Sequence, residues 1–218
     1  MKFPNAAKGI SKLYLAEILS LIAALATGFA MIFLLIAVGT YDNLGALTTG
    51  SVAGASFGLV CLSAAGVLAL VAMILQIVGV FQAAKDEGSF KLIIYVVIFG
   101  IIVTLIAGIF SSNRVLNSIS QAVSNVVELL TTLLTILGIC NLSLQLRKGS
   151  MVDRGHSLIK IILAVQVLAI IASLCTIFFW SITFRVLLVC LLGFSTVLEI
   201  AGYILFLVYL GDAKKMLQ

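Results

Sequence analysis

The sequence predicts an all-α membrane protein of six transmembrane helices, and three observations lead there. Hydrophobic residues make up 63% of the 218 and charged residues only 10%, where a soluble domain is nearer about half and about a quarter. Apolar runs at or above the roughly 20 residues needed to cross a bilayer recur along the whole chain. The basic residues between those runs alternate, many then few, from one connection to the next. Mean hydropathy is +1.31. A β-barrel would show short alternating segments instead. No connection exceeds about 15 residues, too few for a domain with its own core. The whole chain, 1–218, therefore reads as a single integral membrane domain.

The spans fall at about 13–39, 55–82, 91–110, 122–146, 158–179 and 186–210. The first follows MKFPNAAKGISK, which has the basic start of a signal peptide, and Ala24-Leu25-Ala26 has the form of a cleavage site. The apolar run continues to Val38, too long for the hydrophobic region of a signal peptide, so an uncleaved span is expected. The second is led in by GSVAGASFG. Its Gly50, Gly54 and Gly58 are spaced by four, which gives one smooth helix face for close packing against another helix. Cys61, Cys140, Cys175 and Cys190 all lie in apolar runs without a CxxC pair. They read as small buried hydrophobes, not as a disulfide framework.

Orientation follows from Lys and Arg. The N-terminal segment, the second and fourth connections and the tail carry 11 of them: Lys2, Lys8, Lys12, Lys85, Lys91, Arg147, Lys148, Arg154, Lys160, Lys214 and Lys215. The other three connections carry only Arg114 and Arg185. This bias predicts both termini in the cytoplasm. Tyr41 and Trp180 then fall at the outer ends of spans, where amphipathic rings prefer the headgroup zone. The net charge of +5 reports this orientation and gives no reason to expect a nucleic-acid partner.

An internal repeat is also expected. LQIVG (Leu75 to Gly79), LTILG (Leu134 to Gly138) and LEIAG (Leu198 to Gly202) fall in the even spans. KLIIYVVIFGIIVTL from Lys91 aligns without gaps on KIILAVQVLAIIASL from Lys160, and AEILSLIAAL from Ala16 aligns on the second half of the latter. Three helical hairpins in one orientation account for this, as in transporters built from parallel repeats.

Motifs for chemistry are lacking. There is no HExxH, no Walker motif and no GxGxxG after a strand. His156 is the sole histidine, so a multi-histidine metal site and a hydrolase triad lack their ligands and base. The expectation is a protein without enzymatic activity, catalytic residues, metal or cofactor. Polar residues at membrane depth remain: Glu17, Gln76, Gln166 and Glu199. Glu199 is the sharpest. Its nearest charges along the chain, Arg185 and Asp212, are each roughly 20 Å away on a helix. A charge at the bilayer centre costs roughly 2.5–3.5 kcal/mol, so such a residue must be neutral, paired or facing a wet cavity. Gln76 holds the same repeat position as Glu199, and Glu17 the same as Gln166. Glu128 reads as separate, in the outer third of the fourth span.

MKFPNAAKGI, FQAAKDEGSFK and VYLGDAKKML resemble an uncharacterised group of small multi-pass membrane proteins of Gram-positive bacteria. That resemblance implies a bacterial cytoplasmic (inner) membrane location and no particular chemistry. In size and span count the chain is also similar to the substrate-binding subunits of energy-coupling-factor vitamin transporters. The expected function is binding or transport of a small polar solute through a cavity near Glu199, Gln76, Gln166 and Glu17. The alternative is a structural or regulatory membrane protein that packs with a partner or with itself. The bilayer is the partner expected in either case.

Overall fold

The computed structural model describes residues 2–39, 49–109, 114–178 and 182–217, nearly all of them helical. Six helices follow one another: α1 (Pro4–Gly39), α2 (Thr49–Ala83), α3 (Ser89–Ile109), α4 (Arg114–Gln145), α5 (Gly149–Phe178) and α6 (Ile182–Leu217). Among the described residues there is no strand. Four described segments are long and apolar enough to cross a membrane: Pro4–Leu35, Ala53–Ala83, Val123–Gln145 and Thr196–Leu217. The expected all-α fold and the number of helices hold. Tyr41 and Trp180 lie outside the described residues.

The helices outrun the apolar spans. α1 starts at Pro4, not near residue 13, and α5 starts at Gly149, which turns most of the connection expected at 147–160 into helix. Hydropathy marks only the greasy part of a helix, while a buried stripe extends it. Ala6, Ile10 and Leu13 are buried along one side of α1, as are Met151, Leu158 and Ile162 along α5. Both sets follow the 3.6-residue period that places them on one face.

The described chain forms two compact units, Ser11–Gly79 and the combination of Met1–Ile10 with Val80–Gln218. In the larger unit α3 packs on α4, α4 on α5 and α5 on α6. Glycines set how closely they approach. A Cβ on Gly100 would stand 2.7 Å from Val127 Cγ1, and one on Gly138 would stand 2.6 Å from the Phe90 ring. A methyl on Gly155 of α5 would overlap both the Cys140 sulfur of α4 and the Tyr209 hydroxyl of α6. Those two atoms are themselves 3.3 Å apart, within hydrogen-bonding reach. This buried layer fixes the register of three helices at once.

The start of α1 is capped from far along the chain. Pro4 occupies the first helical position, where its missing N–H costs nothing. The residue before it, Phe3, has no side-chain oxygen to accept the amides that the first turn leaves unpaired. Asp86 replaces it. Its Oδ2 accepts the Ala6 amide at 2.8 Å and its Oδ1 accepts the Asn5 Nδ2 at 2.9 Å. Desolvation pulls the Asp86 carboxyl upward, but the Asn5 carboxamide and the Ala6 and Asn5 amides hold it below the ordinary value of 3.8. Next to it, Glu87 accepts from the Ser89 hydroxyl at 3.1 Å and from Gln145 Nε2 at 3.2 Å. Asn141 Nδ2 donates to Ser89 Oγ at 3.0 Å. That bond engages Asn141 inside the fold.

The C-terminus of α4 closes with a left-handed residue. Arg147 has φ 57°. The Lys148 amide reaches the Ser143 carbonyl at 2.9 Å and the Arg147 amide reaches that of Leu144 at 3.0 Å. This is the Schellman pattern, with arginine where glycine is usual.

Candidate functional site

In the smaller unit α1 and α2 run antiparallel. Phe33 meets Phe57 edge to face, ring centres 4.7 Å apart. A Cβ on Gly58 would stand 2.9 Å from Leu34 Cγ and 3.2 Å from the Ala30 carbonyl oxygen. At Gly58 the second helix therefore lies close against α1 of the same chain. Gly54 is half-buried, and Gly50 lies in the first turn of α2 with surroundings outside the described residues.

Between the two helices, away from the Phe33–Phe57 contact, lies a cleft of about 470 Å³. That is within the roughly 300–1,000 Å³ of small-molecule sites. Ala23 and Ala65, 5% and 3% exposed, form its floor. Ser20 and Thr27 come from α1, and Met73 and Gln76 from α2. None of its lining residues is charged. On α1 the polar positions Glu17, Ser20 and Thr27 share one face, because steps of three and seven residues return to the same side of a helix. Thr27 spends its proton on the Ala23 carbonyl at 2.9 Å. Contacting pairs across the hairpin have residue numbers that add to about 90. That register sets Glu17 opposite about residue 73, within one turn of Gln76. Both are half-buried.

The other two expected site residues, Gln166 and Glu199, belong to the larger unit, and both are half-buried. The Cys140–Gly155–Tyr209 layer fixes their depth. Gln166 lies 11 residues beyond Gly155 on antiparallel α5, and Glu199 lies 10 before Tyr209 on α6. At 1.5 Å per residue both stand about 15–17 Å from the layer. Three turns separate Gly155 from Gln166, so Gln166 is on the face of α5 that meets α4 and α6. Glu128, read from sequence as a separate residue, stands 12 before Cys140 and reaches the same level. Its carboxylate interacts electrostatically with that of Glu199. The expectation that Glu128 stands apart is corrected. Depth across a bundle depends on how helices are staggered, which position along the chain does not encode.

No protein-family profile matches the chain, and no curated protein or solved structure is similar to it.

The four expected residues thus fall into two pairs, one in each unit, and within each pair the members share a level. Ser20, Thr27 and Glu128 complete the picture and were not singled out as site residues from sequence. The legible sign was periodic: Glu17, Ser20 and Thr27 repeat at helical spacing in an otherwise apolar span. Elsewhere polar side chains have local explanations. Thr131 donates to the Val127 carbonyl at 2.9 Å, and buried Thr135 donates to that of Thr131 at 2.8 Å. His156 is exposed on α5. Among the described residues no group of three or more His, Cys, Asp or Glu could hold a metal ion. Cys61 and Cys140 are free thiols.

Proposed function

We propose that the chain is a six-span protein of a bacterial cytoplasmic membrane, both termini cytoplasmic, that binds and carries a small solute with hydrogen-bonding groups. The uncharged cleft between α1 and α2, with Ser20, Thr27 and Gln76 in its walls, is the observation that carries this reading. The Ser20 hydroxyl and the Gln76 carboxamide at membrane depth are costly unless they meet a partner, and a ligand is such a partner. The polar level of the larger unit, with Gln166, Glu128 and Glu199, supports the presence of polar groups at membrane depth there as well.

Six spans accord with helix lengths. α3 has 21 residues and α5 has 30, and about 20 suffice. The 11-to-2 distribution of basic residues supports the cytoplasmic termini. The three related pentapeptides support hairpins descended from one unit. Their second residue is half-buried in Gln76 and Glu199 and buried in Thr135, which fits a position that faces protein more than lipid.

The test is co-purification. Wild-type protein and Gln76→Leu are purified in parallel from membranes, and small molecules released on denaturation are identified by mass spectrometry. A compound present with the wild type and depleted several-fold with Gln76→Leu, at equal protein yield, is the expected result. Equal recovery of every compound from both proteins removes the cleft as the binding site.

A further inference from the structure

The polarity of the cleft is lopsided, and that asymmetry names a ligand class. Ser20 and Gln76 line it at the end nearer the start of α1. Ala23, Ala65 and Leu62 follow, and Thr27, whose hydroxyl proton is already bonded to its own helix, stands at the other end. Ser20 and Thr27 are seven residues apart, about 10 Å along the helix. So one end of the cleft offers hydrogen-bonding groups and the rest offers hydrocarbon. Along one side it is open: Leu62 and Met73 of its lining are 41% and 43% exposed, on a helix apolar enough to lie in a membrane.

Charge decides the head group. No Lys or Arg lines the cleft, so an anionic head would be desolvated with no counter-charge. Glu17, one turn from Ser20, would repel it further. For a cation, Glu17 is the acid nearest that end along α1, and it does not line the cleft.

We infer that the cleft takes an uncharged amphiphile from the bilayer, with a hydroxyl or carbonyl head at Ser20 and Gln76 and its chain along Ala23 and Ala65. This rests on the reading of the cleft as the ligand site. It narrows the solute to a neutral lipid-like molecule that enters sideways.

The full-length protein in liposomes tests it. One diazirine-bearing dodecyl chain is made with three heads: hydroxyl, phosphate and ammonium. Each is photolysed with wild type, Gly66→Leu and Gly28→Leu, and labelled peptides are mapped by mass spectrometry. Gly66 lines the cleft and a Cβ there meets no atom within 4 Å, so a leucine side chain begins in open space and narrows the cleft. A Cβ on Gly28 is equally unobstructed, and Gly28 does not line the cleft. The expected result is labelling of residues 20–27 and 62–76 by the hydroxyl probe, about tenfold above the other two. Gly66→Leu should abolish it and Gly28→Leu should leave it unchanged. Cleft labelling that is equal for all heads, or stronger for phosphate or ammonium, overturns the neutral-ligand inference while the cleft stands as a site. Labelling that is absent, or that Gly66→Leu does not change, overturns both.

Discussion

Asp86 and Glu199 are two acids whose roles depend on what lies across from them. Asp86 caps α1, and a cap of this kind contributes about 0.5–2 kcal/mol. Its folded carboxyl sits below the ordinary value of 3.8. The contribution is therefore complete above that value and is lost as pH falls through the lowered one. Asp86→Ala should unfold at lower temperature than wild type at pH 7 in detergent, and the gap should narrow as pH falls below 3.8. A gap that stays constant with pH would show that the carboxylate is not the source. Glu199 interacts electrostatically with Glu128, so Glu199→Gln removes one of two coupled carboxyl groups and keeps the hydrogen-bonding capacity. It should unfold at or above the wild-type temperature. Glu199→Leu loses that capacity and should cost about 1 kcal/mol, typical of such bonds in membranes. Thermal unfolding of the three proteins checks this, and equal values would deny Glu199 a structural role. Glu199 was visible in the sequence because a mid-span acid needs no alignment to stand out. Asp86 was not, because its partners Asn5 and Ala6 lie 80 residues away in sequence and only the folded chain brings them together.

At the scale of elements, glycine separates packing from open space. Gly155 and Gly66 both sit inside long helices, and both look alike in sequence. A methyl on Gly155 would overlap Cys140 and Tyr209, whereas one on Gly66 meets nothing within 4 Å. Gly155→Ala should therefore lose about 1–3 kcal/mol, the usual range for overpacking. Gly66→Ala should gain about 0.5–1 kcal/mol from the reduced backbone freedom of the unfolded chain. Opposite shifts in detergent unfolding temperature check the pair, and a destabilised Gly66→Ala would mean the cleft is filled by protein. The helices themselves were legible, since apolar length alone marks them. Their ends were not. Pro4 and Gly149 begin helices inside polar stretches, where the signal is a buried stripe such as Met151, Leu158 and Ile162 and not mean hydropathy. The Gly58 contact was legible as a smooth face, but the sequence could not say that α1 is what it meets.

For the whole molecule, the number of crossings decides where the basic connection between α4 and α5 lies. If all six helices cross, Arg147, Lys148, Arg154 and Lys160 are cytoplasmic. If only the four segments of greatest apolar length cross, in α1, α2, α4 and α6, the C-terminus stays cytoplasmic but this connection moves outside. That arrangement exposes four basic residues on the wrong side, against the bias that orients membrane helices. It also leaves α3 lying out of the membrane with Leu92, Ile98 and Phe99 each at least half exposed. Burying such side chains is worth about 1.5–3 kcal/mol apiece, so the hydrophobic effect favours the arrangement in which α3 crosses too. Fusion of an export-dependent phosphatase after Lys148 separates the two arrangements. The six-span chain gives an inactive fusion there and an active one after Leu44, in the first outer connection. Activity at both positions would leave four crossings, place Gln166 of α5 outside the bilayer, and remove the shared membrane level of Gln166 and Glu199 while leaving the α1–α2 cleft untouched.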